Sequence, residues 1–563
     1  MWGAPASTRL ATRRDASFLL RMAAATGEGS ATLLQTLVEA LRSTPFALAS
    51  GGSVRIDTLF SRPRKVNTLY PLAHVHPTDA GASSEADAVP VWLEHVVVTA
   101  AWAAEDSTDA ERLMYALELF VYTLPTQGAG ILYVSKLDTT GHGPRAVPGA
   151  WREHLPEEYR GGVSLTTVIT AATLAYFMGR DHWRQTPGIR HVSLHILARA
   201  QGAYLFPSST ENAGKRVLSD TALIRWWRAC VSEAIWRRRL AGSTDMVHAY
   251  YVLPGYTRLD SHPLVPLPPA DTPAASATST PRDKLAGVAW RYGHPYSRQG
   301  AALGAEEPLP PLPLHPAAAE ERSRRGRCAF PDRVLATVLP VFPDDPKGRF
   351  INEITREAHE PGTLVSAGTS GPARPTAAHR AAMHERQVLD RTSVDEFWER
   401  MGFRQECSSG NTVGVFVVGF SEPAQASDAA ADAADTADPP AAQPLGLPHP
   451  LPEDLVFKQM MRDACDWSSR DGSTRLTREF YQAVDHAVRR KGDVGPGAAA
   501  DEQLGRDVRW ARVALRVPSR EAQEAASRAA QKVPAEGGPG AARARPADAP
   551  PVQMLQVKRK RKA

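Results

Sequence analysis

The chain of 563 residues has few cysteines, no long apolar run and no glycine-rich phosphate loop. Each lack removes a class of protein. Its four cysteines, Cys230, Cys328, Cys407 and Cys465, lie far apart with no Cys-x-x-Cys pair. That argues against a disulfide framework and a structural zinc site, and fits a reducing compartment. No apolar stretch approaches the roughly 20 residues that cross a bilayer, and no Asn-x-Ser/Thr sequon occurs. Neither a Walker loop nor Gly-x-Gly-x-x-Gly is present. His191 and His195 have the i, i+4 spacing of a helical metal site but lack the glutamate and a third ligand, so no metal is expected. No repeat period emerges.

Proline and glycine, by contrast, are plentiful, at 46 and 41. A good fraction of the chain therefore need not fold. The composition predicts a disordered extension over 1–30 and a folded domain over 31–420, with proline-rich insertions at about 263–284 and 305–325. A low-complexity insertion over 421–452, a helical segment packing on the domain over 453–490 and a disordered basic tail over 491–563 complete it. The net charge is only +5, but Lys558-Arg559-Lys560-Arg561-Lys562 forms an unbroken basic run. Such a run suits an importin groove or an acidic partner, which points to the nucleus. Arg9, Arg13, Arg14 and Arg21, with Asp15 the one acid before Glu28, mimic a mitochondrial transit peptide.

Periodicity predicts a helix over Leu33–Leu41, strands over Val91–Ala104, Tyr115–Tyr122 and Gly130–Ser135, and a loop from Lys136 to Pro144. Helices follow at Leu165–Met178 and Ser219–Leu240. In the second, Leu223, Trp227, Cys230, Val231, Ala234 and Ile235 share a face, arginines occupy the others, and Ser219 or Asp220 caps the start. Val334–Val341 reads as a strand and Lys347–Glu357 as a helix. Thr412–Phe420 is a last strand, Asp454–Arg490 holds one or two helices, and the chain past Lys491 reads as loose. The fold class expected is mixed α/β, a central sheet flanked by helices.

The segment richest in chemistry is Val341-Phe342-Pro343-Asp344-Asp345-Pro346-Lys347-Gly348-Arg349-Phe350. On local physics Asp345 is a helix N-cap, with Pro346 at the first helical position. The same pair of adjacent acids beside Phe342 and two prolines would tend to have one raised pKa, as a general base requires. Upstream stand Val134-Ser135-Lys136-Leu137-Asp138-Thr139-Thr140-Gly141, Tyr204-Leu205-Phe206-Pro207-Ser208-Ser209 and Trp226-Trp227. By itself Asp138 is a turn former and the Trp pair is core. Lys215-Arg216-Val217-Leu218 sets a basic pair before apolar residues, which suits a phosphate-bearing ligand with a long apolar arm.

Together these segments resemble the fungal Rtt-type histone H3 lysine acetyltransferases, whose catalytic domain is akin to the CBP acetyltransferase fold. The resemblance covers about residues 30–260 and 285–420, and more loosely 453–490. The Arg/Gln-x-x-Gly-x-Gly/Ala loop of the common GNAT acetyltransferases is missing, in keeping with the CBP-like architecture. The resemblance implies acetyl-CoA as co-substrate and transfer to lysines of histone H3, linked to chromatin assembly, DNA replication and repair and genome stability. It implies chaperone-bound histone as substrate, with NAP-type and anti-silencing-type chaperones as partners, and neither membrane nor sequence-specific DNA. Asp345 matches the proton acceptor, with Asp344 beside it, and Trp227 and Tyr204 match the walls of the lysine channel. Acetyl-CoA would touch Leu137, Asp138, Thr139, Gly162, Val163, Ser164, Leu165, Thr166, Leu197, Gln201, Arg216, Val217, Leu218 and Trp226. Lys347 matches a lysine that is itself acetylated. Leu137 replaces a smaller residue, and Leu197-Ala198-Arg199-Ala200 departs from an aromatic-and-proline version. The alternative from another class is a non-catalytic basic adaptor that binds histone chaperones.

Overall fold

The computed structural model describes residues 31–72, 91–105, 111–266, 287–295, 335–357, 377–404, 411–422, 451–489 and 508–515, apart from scattered positions within them. The expectations for 1–30, the proline-rich insertion at 305–325, all of that at 263–284 but its first residues, the low-complexity insertion except its ends and the Lys558–Lys562 run lie outside these residues.

The strands are β1 (Gly52–Phe60), β2 (Arg64–Val66), β3 (Val91–Ala104), β4 (Arg112–Leu124), β5 (Ala129–Thr139), β6 (His191–Ala198), β7 (Met246–Val252), β8 (Trp290–Tyr292), β9 (Gly414–Ser421) and β10 (Trp510–Leu515). They form one sheet in the order β10-β1-β3-β4-β5-β6-β9-β7-β8, with β2 also on β3. Pairing is antiparallel except at β5–β6 and β7–β8. The class expected from sequence, a mixed α/β domain with a central sheet flanked by helices, is the one observed.

The principal helices are α1 (Leu33–Ser43), α2 (Leu165–Met178), α3 (Asp220–Leu240), α4 (Pro346–Glu357), α5 (Ala377–Arg391), α6 (Val394–Met401) and α7 (Arg470–Arg489). Helix α2 is apolar almost all round and buried along its length, as a helix sandwiched between a sheet and other helices must be. With α1 and α3 it packs the larger core against one face of the sheet, where Val96, Val98, Leu117, Leu119 and Leu132 point. The opposite face holds a second core. There Leu59, Val97, Ala101 and Leu113 meet Trp467, Leu476, Phe480 and Val484. Strand β4 is buried throughout because it lies between these layers.

Six expectations are corrected. Strand β5 runs on to Thr139, so Lys136–Thr139 are strand rather than loop, paired to β4 past a bulge at Glu118/Leu119. Leu335–Val338 is a helical turn and not a strand. Its buried Leu335, Ala336, Val338 and Leu339 recur at helical spacing, and Leu339 N donates to Leu335 O at 3.1 Å. The His191/His195 pair lies on β6, so a helical metal spacing does not describe it. On α3, Arg228 is buried and donates to Pro266 O, although the arginines there were expected mostly to occupy faces other than the buried one. Ser219 is the N-cap by position but makes no capping bond, while Asp220 instead accepts from Thr412 N at 2.9 Å.

The sixth correction concerns the chain past Lys491. It contains β10, which pairs antiparallel with β1 from Gly52↔Leu515 to Asp57↔Trp510. Ala511, Val513 and Leu515 alternate inward, as an edge strand with one buried face requires. Fully buried Asp57 lies 2.8 Å from Arg55 and 3.8 Å from Arg509, and Arg55 stacks on the rings of Tyr481 and Trp510. Residues 451–489 and 508–515 thereby form an arm: the first part covers the second core, and the second returns to β1, where Ala511, Val513 and Leu515 join the larger core.

Candidate active site

A cleft of about 950 Å³ opens where β5 and β6 end beside the starts of α2 and α3. Strand β5 contributes Val134–Thr139 and β6 contributes Ile196 and Leu197. The entry to α2 contributes Gly162, Val163, Ser164, Leu165 and Thr166, and Ser164 Oγ caps the helix by accepting from Thr167 N at 3.1 Å. Lys215, Arg216, Val217 and Leu218 form another wall, joined by Gln201, Tyr204 and the Trp226-Trp227 pair of α3. The structure thus brings to one cleft every residue that the resemblance connects with acetyl-CoA.

Asp138 organises this cleft. Its Oδ2 accepts from the backbone amides of Tyr204, Leu205 and Phe206 at 2.7, 2.9 and 3.2 Å, and its Oδ1 from Thr139 N at 2.7 Å. Buried Lys215 Nζ completes the set at 2.7 Å. The carboxylate is an anchor between the β5 end and the Tyr204–Phe206 turn, with no capacity left for proton transfer. Gly141 makes the next loop possible. Its φ of +85° is left-handed, and a Cβ there would stand 2.4 Å from Lys215 N.

Trp226 and Trp227 meet edge to face with centroids 4.9 Å apart, and Trp226 Nε1 donates to Thr167 Oγ1 at 3.2 Å. Trp227 belongs both to the larger core and to the cleft wall. Tyr204 donates its phenol to Arg199 O at 2.6 Å, and burial pushes its pKa up to about 12. It is a hydrogen-bond donor and apolar wall, not a base.

Asp344, Asp345 and Lys347 do not line the cleft. Asp345 is buried at the head of α4, where its Oδ1 accepts from Lys347 N at 3.0 Å and its other oxygen pairs with Lys347 Nζ. The N-cap reading of local physics is thus the geometry found. Lys347 is buried as well, its Nζ 5.0 Å from the Phe342 ring centre and 5.8 Å from that of Tyr133. Phe342 and Tyr133 stack at 4.1 Å, and Phe342 meets His195 edge on. Burial, then the Lys347 charge, push His195 well below its ordinary pKa, so it is neutral near pH 7.

Asp344 is exposed and adopts φ +52°, a left-handed conformation that non-glycine residues rarely take. Its Oδ2 lies 3.5 Å from Lys136 Nζ. Lys136 lines the cleft and is held from behind by Glu118 Oε2 at 3.0 Å. His95 Nε2 and Ser135 Oγ brace the same carboxylate at 3.0 and 2.8 Å. This chain, His95–Glu118–Lys136–Asp344, ties the acidic turn to the cleft. Sequence reasoning assigned it no role. Its signal was Glu118, a lone carboxylate inside the apolar run of β4.

The cleft is strongly cationic. Among the described residues, Arg112, Lys136, Arg145, Arg152, Arg199, Lys215, Arg216 and Arg470 line it against one carboxylate, that of Asp138. Low-dielectric walls around like charges focus a field that draws polyanions. The arrangement can hold an elongated, multiply phosphorylated ligand with its apolar arm toward the tryptophans.

The chain shares this architecture with known proteins. The crystal structure of Rtt109 from Aspergillus fumigatus superposes with a TM-score of 0.50 at 21% identity, covering 87% of this chain and 100% of that one. Histone acetyltransferase rtt109 of Aspergillus flavus is 28% identical over 383 residues, 65% of this chain and 53% of the relative. Its namesake in Schizosaccharomyces pombe is 25% identical over 315 residues, 54% of this chain and 56% of the relative. The chain therefore matches about half the length of these curated relatives. The model of the histone acetyltransferase KAT11-type domain matches residues 179–495, more than half of the sequence. The chain belongs to the KAT11-type histone acetyltransferase domain family.

Proposed function

We propose that this protein transfers the acetyl group of acetyl-CoA to lysine side chains of histones, with H3 held by its chaperones as the substrate. The observation that carries the reading is the cationic cleft, with eight lysines and arginines against one carboxylate among the described residues, ending at Tyr204 and Trp227. Arg152, Arg216 and the backbone amides around Gly162–Ser164 would receive phosphates. Leu137, Val217 and Leu218 would flank the pantetheine, with Trp226 near the thioester. Trp227 and Tyr204 would desolvate the incoming lysine stem. A NAP-type or anti-silencing-type chaperone partner, a nuclear address and a role in chromatin assembly, replication and repair follow from the family resemblance.

Asp345 is the candidate proton acceptor, and its pairing with Lys347 constrains that role. While Lys347 is charged, the carboxylate is neutralised in place. Transfer of an acetyl group to Lys347 Nζ would form a neutral amide with loss of its proton and departure of the CoA thiol. Asp345 would then lack its ion-pair partner, leaving an oxygen free to accept a proton. A substrate lysine, with a pKa near 10.4 in water, could then pass its proton to it directly or through the exposed turn at Asp344.

The test is incubation of the full chain with acetyl-CoA and chaperone-bound histones, followed by mass spectrometry of the histones and of the peptide spanning Pro346–Arg349. Acetyl on H3 and on Lys347 is expected. Asp345→Asn alone would strand the buried Lys347 charge, so it is made in the Lys347→Gln background, where Asn still caps the helix. Turnover should fall about 10²-fold relative to Lys347→Gln, with acetyl-CoA affinity unchanged. Unmodified histones together with intact chaperone binding would favour the non-catalytic adaptor.

A further inference from the structure

The two ends of the cleft differ, and the difference assigns a phosphate. At one end Lys136 stands beside Asp344. Six residues further along the same segment, His142 Nε2 lies 3.0 Å from Trp467 O, in the arm that returns after the low-complexity segment. Strand β5, from Lys136 to Thr139, carries the chain about 10 Å away from the Lys136 end before it turns at Gly141. A CoA ester lying between the two ends with its thioester toward the acidic turn and the tryptophans must place its nucleotide at the His142 end. The arm presents Ser468 and Arg470 to the cleft at that end, and Arg112 and Arg145 stand there too.

The arm is built to hold this position. Trp467 is fully buried, and its indole donates to Met460 O at 2.9 Å. Asp466 folds the turn before α7, accepting from Ser468 N at 2.9 Å and from Ser469 Oγ at 2.8 Å. Asn212 donates to Thr140 O at 2.8 Å and touches His142, which locks the loop facing the arm. Three separate segments therefore converge at this end, and each supplies an arginine: Arg112 from β4, Arg145 from the loop after β5 and Arg470 from the arm.

We propose that Arg470 binds the 3′-phosphate on the ribose of CoA, so that the cofactor site is completed by the arm and not by the central sheet alone. This rests on the acetyl-CoA reading above. A guanidinium–phosphate pair is charge-assisted and directional, and the 3′-phosphate is the group of CoA that its dephospho form lacks.

The experiment is calorimetric titration of the full chain with CoA and with 3′-dephospho-CoA. The wild type should bind CoA about tenfold or more tightly than the dephospho form. Arg470→Gln should weaken CoA about tenfold and leave dephospho-CoA within about twofold, while Arg470→Lys should recover part of the preference. The unchanged dephospho-CoA affinity also shows that the variant is folded. Equal weakening of both ligands, or no weakening of either, overturns the assignment. A wild type that binds neither ligand overturns instead the acetyl-CoA reading on which it rests.

Discussion

Asp138 accepts five hydrogen bonds, four from backbone amides and one from Lys215, and so fixes the Tyr204 turn against the end of β5. Removing it strands a buried ammonium and four amides. Asp138→Ala should therefore cost about 3–5 kcal/mol of stability, read by urea unfolding, with acetyl-CoA binding lost through misplacement of Tyr204. A variant as stable as wild type would show that the Tyr204 turn holds without its anchor. Trp227 is less separable, since one ring serves core and cleft. Trp227→Ala should lower stability by about 3–5 kcal/mol as well as histone use. At this scale much was legible. The aspartates, tryptophans and basic pair stood out in sequence, and the N-cap at Asp345 followed from Pro346 alone. The pairing of Asp345 with Lys347 and of Asp138 with Lys215 did not, because neither the side-chain path nor the 77-residue separation of the second pair is visible in a linear pattern.

Strands β4 and β5 carry the charge relay behind the cleft, and Glu118 is its hinge. Burial by itself would raise the Glu118 carboxyl, but the hydrogen bond from His95 and the Lys136 charge hold it down at about 2. Its ordinary value is 4.5. The stability it confers is therefore complete above that value and drains away as pH falls toward about 2, amounting to about 3 kcal/mol. Unfolding free energies measured at pH 5 and pH 3 should differ by less in Glu118→Gln than in wild type. Equal slopes would remove Glu118 from the account. Elements with one dominant signal were readable. Val91–Ala104 and Leu165–Met178 run over the residues that hydropathy predicted, since each is mostly apolar or β-branched. Leu335–Val338 was misread because β-branched residues there also satisfy helical spacing, and packing decided between the two. The alternation in Trp510–Leu515 was present but short, and lay between segments rich in Ala, Gly and Pro.

On the scale of the molecule, the arm closes the sheet. Arg509 reaches buried Asp57 in β1 and pairs with Asp485 on α7. Arg509→Met should cost about 3 kcal/mol or more, because it weakens the compensation of a buried carboxylate. Hydrogen exchange should quicken first in β1 and β10, and protection unchanged in those strands would show the clamp to be dispensable. The closure also has a consequence in time. Thr58 N donates to Arg509 O at 3.0 Å, between residues 451 positions apart. At roughly 5–20 residues per second, a ribosome needs about 20–90 s to make the chain between them. Through that interval β1 has β3 on one side and an open row of amides and carbonyls on the other, the kind of edge that recruits unwanted strands. The centre of this sheet can thus form early in synthesis while its border waits, and that border stays open to pairing until β10 leaves the ribosome.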